Sequence, residues 1–206
     1  MDTLILAFDR ALRTLSLGAV ARRPNPAPSV SAESTLSADD TSRSIGLMRV
    51  NHAGEVAAQA LYQGQALASR SPELQSKLAA AADEEMDHLA WTRERIHALG
   101  GRTSVLDPVW YAGAFAIGAV AGALGERTSL GFLQATEEQV EAHLASHLNR
   151  LPDADQASRA IIEQMKRDEA AHAETARELG AKELPRPVQA LMRASAKIMT
   201  ATAAKF

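Results

Sequence analysis

The sequence contains one arrangement of glutamates and histidine twice, and this duplication limits the folds open to the chain. In each copy a single glutamate is followed, at a nearly equal separation, by a Glu-x-x-His motif. Residues spaced i, i+3 lie on one face of a helix, so each motif would present a carboxylate and an imidazole side by side. The pattern therefore indicates a repeated helix pair. Its members are Glu55, Glu85 and His88 in the first copy and Glu137, Glu169 and His172 in the second.

A turn signal lies near the middle of each copy. Ser71, which precedes a proline, comes close to midway between Glu55 and Glu85. Because a helix rises about 1.5 Å per residue, an antiparallel return brings these two glutamates to a similar depth. The second copy behaves alike around Pro152. The spacing predicts four helices that direct four glutamates and two histidines towards one centre.

The composition also favours helices. Alanine accounts for 42 of the 206 residues, and only 4% of the residues are aromatic. Strong helix formers are thus abundant, whereas the residues that favour sheets are scarce. We therefore predict an all-α protein.

Two further properties of the composition exclude classes of site. The chain has no cysteine, which excludes disulfide bonds, zinc–thiolate and iron–sulfur sites and thiol nucleophiles, so a metal would have to bind nitrogen and oxygen atoms. The formal net charge is −3, and no basic stripe with interleaved aromatic residues is present. Nucleic acid is therefore not an expected partner.

Helix start and stop signals divide the chain into an N-terminal part, residues 1–40, and a helical body, residues 41–206. The N-terminal part is predicted to form a short amphipathic helix up to about residue 23, followed by a flexible linker rich in Pro, Ser and Ala. The helices predicted for the body cover residues 41–70, 71–100, 108–125, 128–151, 152–180 and 187–206, with boundaries accurate to a few residues.

The duplicated residues match the ligand pattern of ferritin-like carboxylate bundles that hold two iron or two manganese ions. Four carboxylates balance the charge of two divalent ions, whereas six buried ionisable groups with no metal would carry a heavy desolvation cost. The alternative is a metal-free helical interaction protein whose acids are solvated. The duplication favours the metal site, and the neighbouring acids Asp83, Glu84, Glu138 and Glu141 are expected to be ordinary surface residues.

Several motifs of the body closely resemble the demethoxyubiquinone hydroxylase family of ubiquinone biosynthesis. They read RVNHAGE at residues 49–55, ALYQGQ at 60–65, DEEMDHL at 83–89, EE at 137–138 and RDE at 167–169. The resemblance covers the helical body and leaves the N-terminal part outside. One departure is Asn51, where many members of the family have aspartate; it removes a charge near Glu55 but no ligand.

The resemblance implies a ferritin-like four-helix bundle with additional terminal amphipathic helices and two iron ions. The iron ligands that it implies are the same six residues that the spacing selects: Glu55, Glu85, His88, Glu137, Glu169 and His172. His143 matches a family histidine beside the site and is expected to hydrogen-bond a metal ligand. The implied reaction is hydroxylation by O2 of the ring of a polyprenylated methoxy-methyl-benzoquinol. The electrons would come from an external reductant, either NADH or the quinol pool.

A substrate with an isoprenoid tail implies contact with a membrane. The uncharged stretch 108–125 and the basic amphipathic segment 187–206 are the candidates for that contact, on the cytoplasmic face of the cell membrane. The alternative for both segments is packing within the bundle. Other proteins of ubiquinone biosynthesis are further expected partners.

Two alternative functions use similar ligands. Ferritin-like iron storage or oxidation and manganese catalase need neither a quinone pocket nor membrane affinity. A rubrerythrin-type peroxidase is disfavoured because its rubredoxin module needs cysteines, which this chain lacks.

Overall fold

A computed structural model describes residues 2–15, 19–27 and 36–205 of the protein. Within these ranges all of the regular structure is α-helical, which confirms the predicted all-α class. The helices are α1 (Asp2–Leu15), α2 (Ala38–Ala68), α3 (Pro72–Ala98), α4 (Asp107–Ala123), α5 (Glu126–Leu148), α6 (Gln156–Glu178) and α7 (Arg186–Ala203).

The four helices of the repeat form the ferritin-like bundle: α2 packs against α3, and α5 against α6. Local signals determine the turn between α2 and α3 as predicted, whereas α6 begins at Gln156, with Asp155 as its N-cap, and not at Pro152. The Ser71 hydroxyl caps α3 by accepting a hydrogen bond from the backbone N–H of Leu74 at 3.2 Å, and Pro72 occupies the first turn. This proline needs no backbone donor there. The connection reverses the chain and returns α3 alongside α2.

Two apolar clusters fill the bundle. One includes Met48, Trp91 and Ile161, and the other includes Tyr62 and Leu74. All five of these side chains are almost completely buried. The ligand candidates of α2 and α3 lie between the two clusters along these helices, so apolar packing borders the polar centre on both sides.

Helix α4 packs more extensively on α2 than any other helix does, and glycines permit the close approach. A methyl group at Gly118 would overlap the backbone carbonyl of Leu61, and one at Gly122 would overlap that of Gln65. Gly64 of α2 faces the backbone of α4 in the same way. Small residues therefore fix α4 against the bundle, while its other side is exposed.

The N-terminal part differs from the sequence prediction in one respect. Helix α1 ends at Leu15, not near residue 23. Residues 19–27 contain no helix and lie along α3, where Arg22, Arg23 and Asn25 bind acidic side chains. Hydrogen bonds and ion pairs with α3 therefore replace the helix expected there. The predicted linker also includes residues 28–35, which lie outside the described residues.

The C-terminal segment forms the predicted helix, α7. Leu191 and Ile198 are exposed on it, whereas Ala203 is buried against Val50 and Ala53 of α2. In the part of the chain that the structure describes, no helix combines the length and apolar character needed to cross a bilayer.

Candidate metal centre

The six predicted ligand residues meet at mid-length in the bundle. Glu55 comes from α2, Glu85 and His88 from α3, Glu137 from α5, and Glu169 and His172 from α6. All except His172 are buried, and the His172 side chain is only 11% exposed. Each helix of the repeat thus contributes at least one ligand candidate to a centre from which water is largely excluded.

The ligand atoms form two overlapping groups. One contains atoms of Glu55, Glu85, His88 and Glu169, and the other contains atoms of Glu85, Glu137, Glu169 and His172; within each group these atoms all lie within 4.8 Å of one another. Glu85 and Glu169 belong to both groups. We name the two halves by their histidines, the His88 half and the His172 half. Two shared and two private carboxylates form the arrangement expected of two metal ions side by side.

In the His88 half, the imidazole lies between the carboxylates of the centre and one carboxylate outside the centre, that of Asp168. Its Nδ1 lies 2.8 Å from Glu85 Oε2, 3.3 Å from Glu169 Oε1 and 3.6 Å from Glu55 Oε2. Its Nε2 lies 2.9 Å from Asp168 Oδ2. Burial alone would raise the pKa of Asp168, but hydrogen bonds from His88 and Arg23 lower it to about 2. The ionised Asp168 keeps the proton of His88 on Nε2 and leaves Nδ1 directed at the centre.

The His172 half repeats this arrangement across the bundle. Nδ1 of His172 lies 3.2 Å from Glu85 Oε1 and 3.5 Å from Glu169 Oε2, while Nε2 lies 3.1 Å from Glu84 Oε2. The outer carboxylates therefore cross between helices. The acid that precedes Glu169 on α6 binds the histidine of α3, and the acid that precedes Glu85 on α3 binds the histidine of α6.

The four central carboxylates fall into two pairs whose pKa values shift in opposite directions. Burial and the neighbouring Glu85 carboxylate raise the pKa of Glu55 well above its ordinary value. Burial and the Glu169 carboxylate do the same for Glu137. Burial would lower the pKa of His172, but the nearby carboxylates of Glu169 and Glu85 raise it to about 12. Burial would also raise the pKa of Glu85 and Glu169, but His88 and His172 lower both below the ordinary value, so the two shared carboxylates favour the ionised form that binds cations.

Unused hydrogen-bonding atoms show that the residues fit a metal pair. Among the described residues, no hydrogen bond is made by Oε1 and Oε2 of Glu137, Oε1 and Oε2 of Glu169, Oε1 of Glu85 or Nδ1 of His172. Buried polar atoms almost always have a partner, and a metal ion is one that carboxylate and imidazole atoms readily accept. The nitrogen and oxygen donors suit iron, and their total charge suits two divalent ions.

The structure changes the interpretation of three neighbouring residues. Glu84, expected to be an ordinary surface acid, instead accepts a hydrogen bond from His172. Asp168 has the corresponding role for His88 and was not among the predicted site residues. For His143, Nε2 makes no hydrogen bond within the described residues, and its ring lies against that of His147 at 4.0 Å between centroids. The hydrogen bond expected of His143 stays a prediction.

Comparisons with known proteins agree with the resemblance. The family model for the ubiquinone biosynthesis protein COQ7 matches residues 43–203. A 3-demethoxyubiquinol 3-hydroxylase of Dechloromonas aromatica is 55% identical, over 100% of this chain and 99% of its own length. The proteins of that name from Nitrosospira multiformis and Polynucleobacter necessarius are 56% and 52% identical, over 98% and 100% of this chain and 97% and 99% of their own lengths. The chain therefore belongs to the COQ7 family of ubiquinone biosynthesis proteins.

Proposed function

We propose that this protein is a di-iron monooxygenase that hydroxylates the ring of a demethoxyubiquinol with O2. The observation that carries the proposal is the pair of overlapping ligand groups, which share Glu85 and Glu169 in the buried centre of the bundle. The full-length relatives named as 3-demethoxyubiquinol 3-hydroxylases support the substrate. The proposed iron ligands are Glu55, Glu85, His88, Glu137, Glu169 and His172.

The chain itself binds the metal pair and excludes water. Two iron ions bound there supply the reductive activation of O2. Glu85 and Glu169, which belong to both ligand groups, would help to hold both ions, whereas each half has one private carboxylate and one imidazole. The apolar clusters on both sides, which include Trp91 and Tyr62, restrict access of water to the reacting ring.

A small cavity marks the proposed approach of the quinol ring. It has a volume of about 70 Å³ and lies between α2, α5 and α7, and Glu55 forms part of its wall. Asn51 and His143 line it as well, and within the described residues Asn51 Oδ1 and His143 Nε2 are buried without a hydrogen bond. These atoms are suited to bind the hydroxyl groups of a quinol. Met199 of α7 forms an apolar part of the wall.

The apolar tail of the substrate requires a lipid-facing surface, and we propose that α4 and α7 provide it. Val109 and Val120 are exposed on α4, and Leu191 and Ile198 are exposed on α7. Helix α7 also carries Arg193, Lys197 and no acidic residue, a composition suited to anionic lipid headgroups. The protein would then act as a peripheral protein on the cytoplasmic face of the cell membrane.

The electrons are proposed to come from an external reductant, with NADH as the first candidate and the quinol pool as the second. Other proteins of ubiquinone biosynthesis are proposed partners at the membrane. Single-turnover measurements on the iron-loaded protein distinguish the two reductants. Hydroxylated product formed with NADH alone as donor supports the first, and product that requires additional reduced quinone supports the second.

Complementation tests the reaction directly. Cells that lack their own hydroxylase accumulate the demethoxy precursor, which mass spectrometry distinguishes from ubiquinone. Expression of this chain is expected to convert the precursor, whereas Glu85→Gln is expected to leave it unchanged. If the wild type leaves the precursor unchanged and instead stores many iron ions or removes peroxide, the protein is a ferritin-like oxidase or a catalase.

Vesicle flotation tests the membrane proposal. The double variant Leu191→Ser and Ile198→Ser removes exposed apolar area from α7 without altering its buried contacts. We expect it to reduce co-flotation with anionic vesicles at least several-fold, since binding follows buried apolar area. Val20→Ser is the control, because Val20 is 77% exposed but belongs to the segment on α3. Equal flotation of all three proteins would overturn the proposal for α7.

A further inference from the structure

An arginine from outside the four-helix bundle binds the carboxylates behind His88. Residues 19–27 precede the part of the chain that matches the family model, residues 43–203. From this segment Arg23 donates Nε to Asp87 Oδ2 at 2.7 Å and Nη2 to Asp168 Oδ2 at 2.9 Å. A single guanidinium thus bridges an acid of α3 and an acid of α6.

The bridge fixes the carboxylate to which His88 donates its hydrogen bond. Asp168 Oδ2 accepts from both His88 Nε2 and Arg23 Nη2, while Asp168 Oδ1 accepts from Gln164 Nε2 at 2.8 Å. On the other side, Asp87 Oδ1 accepts the backbone N–H of Arg22 at 2.6 Å. Both oxygens of each aspartate are engaged, so neither carboxylate can rotate freely. A planar guanidinium suits such a bridge because its donors form a rigid fork.

The same guanidinium also covers the outer side of the His88 half. Its central carbon lies 4.9 Å from the centroid of the Trp91 ring, and Trp91 packs against His88 at 5.5 Å between ring centroids. Arg23 Nη2 lies 3.4 Å from His88 Nε2. Asp168 Oδ2, which as a carboxylate oxygen can only accept, lies 2.9 Å from His88 Nε2 and therefore places a proton of His88 on Nε2. Nδ1 then faces the carboxylates of the centre, where a metal ion would bind it.

We propose that Arg23 is a positioning residue for the metal centre: by bridging Asp87 and Asp168, it holds His88 in the orientation and tautomer that bind metal. The inference rests on the proposed di-iron function. It concerns the His88 half only, because the contacts of Arg23 lie around His88 and Asp168. In the His172 half, Glu84 takes the place of Asp168 and is 52% exposed. Loss of Arg23 should therefore weaken one metal-binding step and leave the other unchanged.

The test is a titration of the metal-free, full-length protein with Co²⁺ alone, followed by absorption and calorimetry. Arg23→Gln is expected to weaken one of two binding steps by about 10- to 100-fold, the range found when outer hydrogen-bond partners of metal ligands are lost. Arg22→Gln is the matched control, because it removes the same charge from the same segment while its side chain pairs with the exposed Asp83. It should bind Co²⁺ like the wild type.

An NMR signal distinguishes a role of Arg23 in positioning His88 from a role in attaching residues 19–27 to the bundle. In the Co²⁺-loaded protein, the Nε2 proton of His88 should give a paramagnetically shifted NMR signal that exchanges slowly with water. Arg23→Gln should remove it by exchange, and Arg23→Lys should restore it only in part, because an ammonium cannot bridge two carboxylates as a fork does. Circular dichroism establishes that each variant folds.

Two results would overturn the inference. One is a wild-type Co²⁺ isotherm and NMR signal in Arg23→Gln. The other is equal weakening by Arg22→Gln, which would mean that attachment of the segment matters and the Arg23 bridge does not. A wild type that binds no metal at all would instead contradict the proposed di-iron function, so the two failures are distinguishable.

Discussion

The two halves of the centre carry the same ligand types in different surroundings. In the His88 half, the imidazole is completely buried, and its partner Asp168 is only 13% exposed and bound to Arg23. In the His172 half, the imidazole is 11% exposed and its partner Glu84 is 52% exposed. The repeat accounts for the matching ligand candidates of the two halves. The segment of residues 19–27, which precedes the bundle, accounts for the different surroundings of the two histidines.

The difference shows how nearly symmetric ligands can give unequal sites. Hydrogen bonds between a charged and a polar group are stronger in a low-dielectric interior than in water, where salt and solvent screen them. The Asp168–His88 bond therefore orients its ligand more firmly than the Glu84–His172 bond. We expect the His88 half to bind metal more tightly and to release it more slowly.

Removal of a shared carboxylate should have the largest effect, because it damages both halves. Glu85→Gln keeps the shape of the side chain but removes a charge common to the two ligand groups. We expect the metal content to fall from about two ions per chain towards none, since both ligand groups would lose a carboxylate. Elemental analysis after loading with Fe²⁺ measures it, with the exposed acid variant Glu138→Gln as control. Retention of both ions would contradict the shared role of Glu85.

Removal of a private carboxylate should have an intermediate effect. Glu55 belongs only to the His88 half and Glu137 only to the His172 half. Glu55→Gln and Glu137→Gln are each expected to leave about one ion per chain, because the other half keeps its full set of ligands. Elemental analysis under the same loading conditions provides the count. The division into halves would be wrong if either variant lost as much metal as Glu85→Gln.

The six ligand candidates could be predicted because their signal is periodic. The i, i+3 spacing fixes the face of a helix, and the similar distances from the turns at Ser71 and Pro152 fix the depth. Both properties follow from helix geometry alone. Helix start and stop signals likewise predict the approximate extents of the six helices of the body, which are correct to within a few residues.

The outer partners of the histidines were missed, although one signal was present. The offset from Glu84 to Asp168 is the same as the offset that relates Glu85 to Glu169 and His88 to His172. An acid thus precedes the glutamate in both copies of the motif. The role of this acid could not be predicted from the offset alone. Each acid binds the histidine of the opposite helix, so its role depends on which helices face one another.

Arg23 had no such signal. It lies far before Asp87 in the chain, at the boundary between the predicted amphipathic helix and the predicted flexible linker, where no spacing assigns it a partner. Its position depends on long-range ion pairs, and residue spacing within a helix contains no information about these. Contacts of this kind become visible only when the bundle has placed Asp87 and Asp168 side by side.

Removal of the outer carboxylates should separate the two halves more finely. Asp168→Ala is expected to weaken Co²⁺ binding in one step by about 10- to 100-fold, because His88 loses its acceptor and Arg23 Nη2 is then left 3.4 Å from the ring nitrogen. Glu84→Ala should weaken the other step less, since water can replace an exposed carboxylate as the acceptor. Titrations of the metal-free proteins give both values. Equal losses would contradict the difference in surroundings.

Salt should produce the smallest effect and give the sharpest test of that difference. An increase from about 0.1 M to about 1 M salt shortens the Debye length from about 10 Å to about 3 Å. Glu84 is exposed, so salt ions screen its attraction to His172. The ratio of the Co²⁺ affinity of the wild type to that of Glu84→Ala should therefore approach one at high salt. The corresponding ratio for Asp168→Ala should change little, because Asp168 lies between His88 and Arg23 with little access to ions. Comparison of ratios at each salt concentration cancels the general effect of salt on Co²⁺ binding. If both ratios fell in parallel, exposure would not distinguish the halves, and their unequal affinity would need another cause.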